Sequence, residues 1–348
     1  MEATTGGTAC PLEISLVTVC MNRQAHLLVS AAHAARWPHH GEHVIVDWSS
    51  AAPIRRRQLP DDPRIRLIRV EGESRWNPSL AYNFALAQAR GRWLMRMDAD
   101  CWPTERWVPA LVRRHGAILV GAGGEGRYGQ FLMTRPVLNA VGGFNEFMEG
   151  WGFEDKDLRA RLAVQQHRPL TPLPLDWIGV IEHADAERVG RGHLPGGFER
   201  RRALAALRTS RLHNRLVAAH CPWGAATPRS RYEPLDRPAA DGTPRWQLRN
   251  GTRPVLPPEI AGKLRQNRRR LFWSTLLAIP AVAVEQLPEK LLPADRSGHW
   301  PVRWWHRLYW HTLQRLVMAP VQLLSLSRGL RARLDRAATA DPAGGDPP

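Results

Sequence analysis

Between residues 14 and 97, short β-branched apolar runs alternate with helical stretches. This alternation restricts the chain to α/β architectures with a mostly parallel sheet. Residues 14–20 read as a buried strand, and 43–47, 65–70 and 92–97 as three more. A helix is expected over 23–35. A second opens at Asn77-Pro78 and runs to about residue 90. Asn is a good cap, and Pro fits the first helical position because its missing N–H is not needed there. In such sheets ligands bind beyond the carboxyl ends of the strands. Asp47, Asp98 and Asp100 all fall at those ends.

Further along, 117–121 and 128–133 read as strands, 154–167 as a helix and 177–181 as a short strand. Gly121-Ala122-Gly123-Gly124-Glu125-Gly126 matches G-x-G-x-x-G by letter. That motif cradles a dinucleotide only when a helix follows it, and here a strand follows. The first strand also ends on Met21-Asn22-Arg23 rather than a glycine turn. A loop is the expectation for 121–126.

Two acidic clusters lie about fifty residues apart. Asp98-Ala99-Asp100 places two carboxylates on the same side of an extended segment, where they can share a divalent cation and a ribose hydroxyl. Glu154, Asp155 and Asp157 crowd the first turn of a helix, where the helix dipole favours negative charge. One of them could take a proton from an acceptor hydroxyl. Gly150 and Gly152 permit close backbone approach there, and Trp151 offers a flat face for a sugar ring. Either cluster alone is weak evidence. Together they suggest sugar transfer, in which a cation neutralises a departing diphosphate.

The ordered set Val17-Thr18-Val19-Cys20-Met21-Asn22-Arg23, Val46-Asp47-Trp48-Ser49-Ser50, Met97-Asp98-Ala99-Asp100 and Gly142-Gly143-Phe144-Asn145-Glu146, running into 150–158, resembles a family 2 glycosyltransferase of GT-A fold. Residues 142–158 are similar to the C-terminal catalytic segment of the β-1,4-galactosyltransferases and of bacterial polysaccharide polymerases. The resemblance covers about 14–184. It implies a Rossmann-like mixed α/β sheet and a metal-dependent inverting transferase using Mn²⁺ or Mg²⁺. A hexose or N-acetylhexosamine would pass from a nucleotide sugar, UDP-linked by expectation, to a glycan or lipid-linked acceptor in surface polysaccharide or glycoconjugate synthesis. By position, Cys20, Arg23, Asp47, Asn83 and Asp98 would bind the nucleotide sugar, with Arg23 at its phosphates and Asp47 at its base or ribose. Asp98, Asp100 and His183 would hold the metal. Asp155 would be the general base beside Glu154, and Trp151 and Gly152 would border the acceptor. Trp48 after Asp47, Phe153 in a Gly-Gly position and Lys156 between two acids depart from the family pattern and leave donor and acceptor open.

The domain plan that follows is a flexible N-terminus (1–13), a GT-A domain (14–200), an irregular Pro/Arg-rich extension (201–262), a basic amphipathic helical region (263–336) and a disordered tail (337–348). Charge is divided unevenly between the two halves. Residues 1–183 hold 21 Lys/Arg against 19 Asp/Glu, whereas 184–348 hold 28 against 13. The basic half therefore faces something anionic, or is a solvated basic surface. Its tryptophans, leucines and arginines over 303–334 suit helices on an anionic membrane; a helical pair on the protein's own core is the alternative. The four cysteines show no C-x-x-C pair, which argues against a zinc module or disulfide framework. Residues 1–11 have no basic start or apolar run, so no secretory leader is expected. The expected location is the cytoplasm, with a peripheral seat on the inner face of the plasma membrane. A catalytically inactive glycan-binding relative and a nucleic-acid binder using the basic half are the rival readings. The intact Asp98, Asp100 and Asp155 speak against the first, and the lack of a recognisable nucleic-acid motif against the second.

Overall fold

The fold is described from a computed structural model. It describes residues 14–107, 118–123, 126–167, 170–182 and 198–276, with Trp304, Leu308, Thr312, Leu316, Ala319 and Leu323 beyond them. At its centre lies β1 (Ile14–Cys20), every residue of which is buried. β2 (Glu42–Trp48) is buried throughout as well. A strand covered on both faces is rich in apolar residues, as in Leu16-Val17 and Val44-Ile45-Val46 here. β3 (Ile65–Glu71) and β4 (Trp93–Arg96) complete the first half of the sheet. The connecting helices are α1 (Gln24–Arg36) and α2 (Pro78–Gln88). Asn77 caps α2 as expected: its side-chain oxygen accepts from the Leu80 N–H at 3.1 Å. Each large apolar side chain fully buried here, such as Leu16, Ile45 or Leu94, stabilises the fold by about 1.5–3 kcal/mol.

β1 pairs in parallel with β2 and β4, and β2 with β3. β7 (Phe131–Thr134) runs antiparallel to β4, and β6 (Ile118–Val120) antiparallel to β7. Among the described residues the sheet has nine strands in the order β10-β11-β3-β2-β1-β4-β7-β6-β8, where β8 is Thr171–Pro172, β10 Tyr232–Pro234 and β11 Arg245–Leu248. This is the mixed, parallel-dominated α/β architecture expected from the sequence. A small second sheet pairs β5 (Cys101–Pro103) with β9 (Ile178–Val180). It sits just past the Asp98–Asp100 turn, and the Ile181 N–H donates to the Asp100 carbonyl at 2.9 Å. α3 (Arg135–Ala140) and α4 (Glu154–Gln166) follow β7. The loop expected over 121–126 leads into a short 3-10 turn at Arg127–Gly129, not into a dinucleotide-binding helix.

The region after residue 200 corrects the sequence reading. The boundary expected at 200/201 falls inside α5 (Phe198–His220), a 23-residue helix. Its buried stripe includes Ala205, Thr209, His213 and Val217 at four-residue spacing. Two of these four are polar, so the stripe gives little apolar period to read. The stretch 201–262, expected to be irregular, contains β10 (Tyr232–Pro234) and β11 (Arg245–Leu248). β11 pairs in parallel with β3 and extends the main sheet. These strands are too short to show alternation; they gain partners from the sheet edge and from packing. Tyr232 lies 5.5 Å from Trp48 and 5.0 Å from Phe84, ring centre to ring centre, and Trp246 lies 5.6 Å from Phe84. α6 (Pro258–Leu276) packs on α5. The expected N-terminal segment and C-terminal tail, and most of the expected helical region, lie outside the described residues.

Candidate active site

Beyond the carboxyl ends of β1, β3 and β4 opens a cleft of about 1140 Å³. Its strand side is formed by Val19–Arg23, by residues 73–78, by Asp98–Asp100 and by Gly126, Tyr128 and Gly129. Residues 146–147 and 149–156 form its floor, and faces of α5 and α6 form the opposite wall. Asp98, Asp100, Glu154, Asp155, Trp151, Gly152, Arg23 and Cys20 thus border one space. Burial pushes the Cys20 thiol up to about 12, so it meets the cleft as a neutral group.

Asp98 is held from three directions. The Tyr82 hydroxyl donates to its Oδ1 at 2.6 Å and the Arg96 Nη2 at 3.0 Å. The Gln130 amide donates to its Oδ2 at 2.9 Å while accepting from the Asp98 N–H at 2.9 Å. Arg96 is only 4% exposed and lies 4.0 Å above the Tyr82 ring and 5.2 Å from Phe144. Burial alone would lower the Arg96 pKa, but Asp98, Tyr82, Glu154 and Asp155 outweigh it and hold the guanidinium charged. Arg96, Tyr82 and Gln130 were not singled out from the sequence. The signal was present in Arg96, a lone charge on a buried strand at the two-residue spacing that puts it on the Asp98 face.

The floor owes its shape to glycines and to one costly residue. Gly143 has φ +70°, and a Cβ there would fall 2.5 Å from the Asn83 Oδ1. Asn83 itself accepts from the Phe144 N–H and donates to the Phe144 carbonyl and to Glu146. Gly152 has φ +96° and Phe153 φ +78°. A left-handed residue with a Cβ costs about 1–2 kcal/mol, and Phe153 offsets that by packing with Met148, Val217 and Leu264. α4 then starts with Glu154 and Asp155. Glu154 is buried with no hydrogen bond to its Oε2. Burial, then the Asp155 charge, pushes its pKa up to about 8 against the opposing pull of Arg96. At neutral pH it keeps a proton. Asp157 turns away from the cleft and pairs with Arg161 at 2.6 Å.

Two expected donor-site residues stand elsewhere. Asp47 is fully buried and is not on the cleft wall. Its carboxylate accepts from the Ser50 N–H at 3.0 Å, from the Ile54 N–H at 3.1 Å and from Arg69, an arrangement that folds the turn after β2. Asn83 also lies behind the wall, clamping the 143–146 floor. Asn83 therefore bears on the cleft through the Phe144 backbone and the Glu146 side chain that it holds. His183 lies outside the described residues.

Among the described residues, no group of three or more His, Cys, Asp and Glu side chains forms a ready cation cage. Asp98 and Asp100 nevertheless supply oxygen donors on the cleft. That set suits Mg²⁺ or Mn²⁺, which are held by one or two carboxylates and completed by water and substrate phosphates.

Residues 15–136 match the family model described as glycosyl transferase family 2, and residues 125–184 match that described as the N-terminal domain of galactosyltransferase. A search of curated proteins found no match. Among solved structures, the catalytic domain of Drosophila β1,4-galactosyltransferase 7 with xylobiose is 14% identical, covering 68% of this chain and 92% of that one, with a TM-score of 0.40. S. aureus TarS residues 1–349 with UDP-GlcNAc is 15% identical, covering 60% and 71%, with a TM-score of 0.41. The chain spans 43% of another TarS structure that it matches. Glucosyl-3-phosphoglycerate synthase from Mycobacterium tuberculosis is 13% identical, covering 67% and 86%, with a TM-score of 0.39. Together the two family matches span residues 15–184, which are thus similar to glycosyltransferases.

Proposed function

We propose that this chain is a metal-dependent inverting glycosyltransferase. It moves a hexose or N-acetylhexosamine from a nucleotide sugar, UDP-linked, to a glycan or lipid-linked acceptor. The observation that carries this reading is that Asp98, Asp100 and the Glu154-Asp155 pair border one cleft. A cation held by Asp100 and Asp98 would neutralise the departing diphosphate. Arg23, at the end of β1, adds a positive charge on the same side. Asp98 comes oriented by Arg96, Tyr82 and Gln130, so it needs no rearrangement when the donor enters.

On the floor, burial and the Asp155 charge make the Glu154 carboxyl a weaker acid, and it serves as a hydrogen-bond donor to the acceptor. That leaves Asp155 to take the proton of the attacking hydroxyl as its oxygen bonds to the anomeric carbon and the diphosphate leaves. Trp151 lines the cleft beside them and offers its ring face to a sugar. Asp155→Asn should keep nucleotide-sugar binding, read as a thermal shift, and lower transfer by about 10²–10⁴-fold. Transfer at near the parent rate would move the base elsewhere, and an absence of any shift with nucleotide sugars and Mn²⁺ would favour the glycan-binding alternative.

The chain also fits a peripheral seat on an anionic membrane. Trp304, Leu308, Leu316 and Leu323 are 75%, 57%, 73% and 69% exposed. In sequence they recur at four, eight and seven residues, a spacing compatible with a helical stripe, with arginines at 303, 307 and 315 beside them. Among the described residues no helix is long and apolar enough to cross a bilayer. Flotation with vesicles containing anionic lipid, lost in Trp304→Ser/Leu308→Ser, is the expected result; equal flotation of the variant would send the stripe to a protein partner.

A further inference from the structure

We propose that segment 253–256, between β11 and α6, is the outer wall of the nucleoside seat, and that Arg253 is the positioning residue that pins it there. The proposal rests on the transferase reading, which fixes how a nucleotide sugar lies in the cleft.

In such a donor the sugar, the diphosphate and the nucleoside follow in that order. With the sugar beside Asp155 and the diphosphate at Asp98 and Asp100, the nucleoside extends away from the floor, over the ends of β1 and β3. Val19–Arg23 and residues 73–78 border the cleft there. Asp47, near the end of the intervening β2, is buried and off the cleft wall. Arg253, Pro254, Val255 and Leu256 line the same cleft. They lie outside residues 15–184, the stretch that the two family models match.

Both ends of this segment are fixed. The Arg253 Nη2 donates to the Glu73 Oε1 at 2.9 Å and to its Oε2 at 2.7 Å. The Tyr232 hydroxyl donates to the same Oε1 at 2.9 Å. Burial, then the Glu73 charge, raises the pKa of that hydroxyl, so it keeps its proton. Glu73 is itself buried, and its N–H donates to the Ser49 hydroxyl at 3.0 Å. Hydrogen bonds to an ionised carboxylate are about twice as strong as neutral ones, so three bonds on a buried acid make a firm tie. At the other end Leu256 packs with Met148, Val217 and Leu264. The same extension also engages a second cleft acid: the Ser230 N–H donates to the Glu146 Oε2 at 2.7 Å.

Between these anchors Val255 lines the cleft and is 81% exposed. An apolar side chain left open on a cleft gains free energy when a ligand covers it. The face of a nucleobase or ribose can do so, whereas a hydrated diphosphate cannot. The tie to Glu73 holds Val255 opposite the ends of β1 and β3, where the nucleoside lies.

The full chain is titrated by calorimetry with UDP, GDP and dTDP in the presence of Mn²⁺, and with inorganic pyrophosphate and Mn²⁺. For the nucleotide that the parent binds, Arg253→Ala should weaken affinity by about fivefold or more, and Val255→Ser by about threefold or more. Pyrophosphate, which carries no nucleoside, should bind both variants as it binds the parent. Arg253→Lys should restore nucleotide affinity, because both bonds to Glu73 come from one nitrogen, which an ammonium can replace. A lower urea midpoint in Arg253→Ala with nucleotide affinity intact would make the tie a support for the extension alone and overturn the proposal. Equal weakening of pyrophosphate and nucleotide would overturn it too, as would parent-like nucleotide binding by Val255→Ser. A parent that binds none of the three nucleotides removes the donor reading and the seat with it. Where parent and variants bind one of them equally, only the seat falls.

Discussion

On the strand side of the cleft, acids are matched to cations. Asp98 is tied to Arg96 at 3.0 Å, and Glu73 accepts from Arg253 at 2.7 Å and from the Tyr232 hydroxyl at 2.9 Å. On the α5/α6 wall the helices supply the cations and the floor supplies an acid: Arg268 reaches Glu149 at 3.3 Å. The difference teaches where specificity can reside. Matched charges on the strand side hold a geometry that any nucleotide sugar could use. The wall instead takes its place from the floor, through Arg268 and Asn214 on Glu149 and Asn214 on Gly152.

The sharpest way to break this comparison is to unmatch the strand side. Arg96→Met keeps the volume of the side chain but deletes the guanidinium. Asp98 then loses its cation, and Tyr82 and Phe144 lose the charge between them. Removing one partner of a buried pair typically costs 3–5 kcal/mol. Asp98 is 30% exposed, so water recovers part of that loss. A drop of about 3 kcal/mol in urea unfolding is expected. A loss under about 1 kcal/mol would mean that the strand-end acids hold their places unaided.

A smaller effect sharpens the comparison through pH. The Glu154 carboxyl, raised to about 8 in the folded protein from its ordinary 4.5, binds its proton more tightly when folded than when unfolded. Below the ordinary value both states are protonated and the group contributes nothing. As pH rises from about 4.5 to about 8, the unfolded chain ionises while the folded one does not, and stability falls. Glu154→Gln removes this dependence. The stability gap between variant and parent should open with rising pH, by a few kcal/mol in all, and level off above pH 8. A gap that stays constant across pH 5–8 would place Glu154 in contact with water. His213 works in the opposite sense: its value is lowered to about 4, so it withdraws stability as pH falls below about 6.5.

How much of this was legible depends on what kind of pattern each part writes into the sequence. β1 is mostly apolar, β2 carries an apolar centre at Val44-Ile45-Val46, and Asn77-Pro78 is a local cap signal, so the first half of the sheet could be read directly. The cleft acids were readable for the same reason, being clustered at element ends. Asp47 looked like a ligand because it ends a strand, and Asn83 because the family resemblance implied it. The Asn83 bonds to Phe144 depend on a loop returning from far along the chain, and Asp47 pairs with Arg69 of the neighbouring strand while folding its own local turn onto the Ser50 and Ile54 N–H groups. The wall was hidden most completely. α5 buries polar residues in its stripe, and β10 and β11 exist as strands because β3 offers an edge.

The mildest test asks whether that hidden wall belongs to the site or merely leans on it. Asn214 is buried and spans the floor with two bonds, to the Glu149 N–H and the Gly152 carbonyl. Asn214→Ala leaves both floor groups short of a partner. Each net hydrogen bond contributes about 0.5–1.5 kcal/mol, so global stability should fall by about 1–2 kcal/mol. The informative readout is kinetic. Gly152 and Trp151 should lose their fixed place while Asp98 and Asp100, held from the strand side, keep theirs. The KM for acceptor should rise several-fold with the KM for nucleotide sugar unchanged. Equal rises in both would mean that α5 supports the whole cleft as one body, and the division between a self-sufficient strand side and a wall that defines the acceptor would no longer hold.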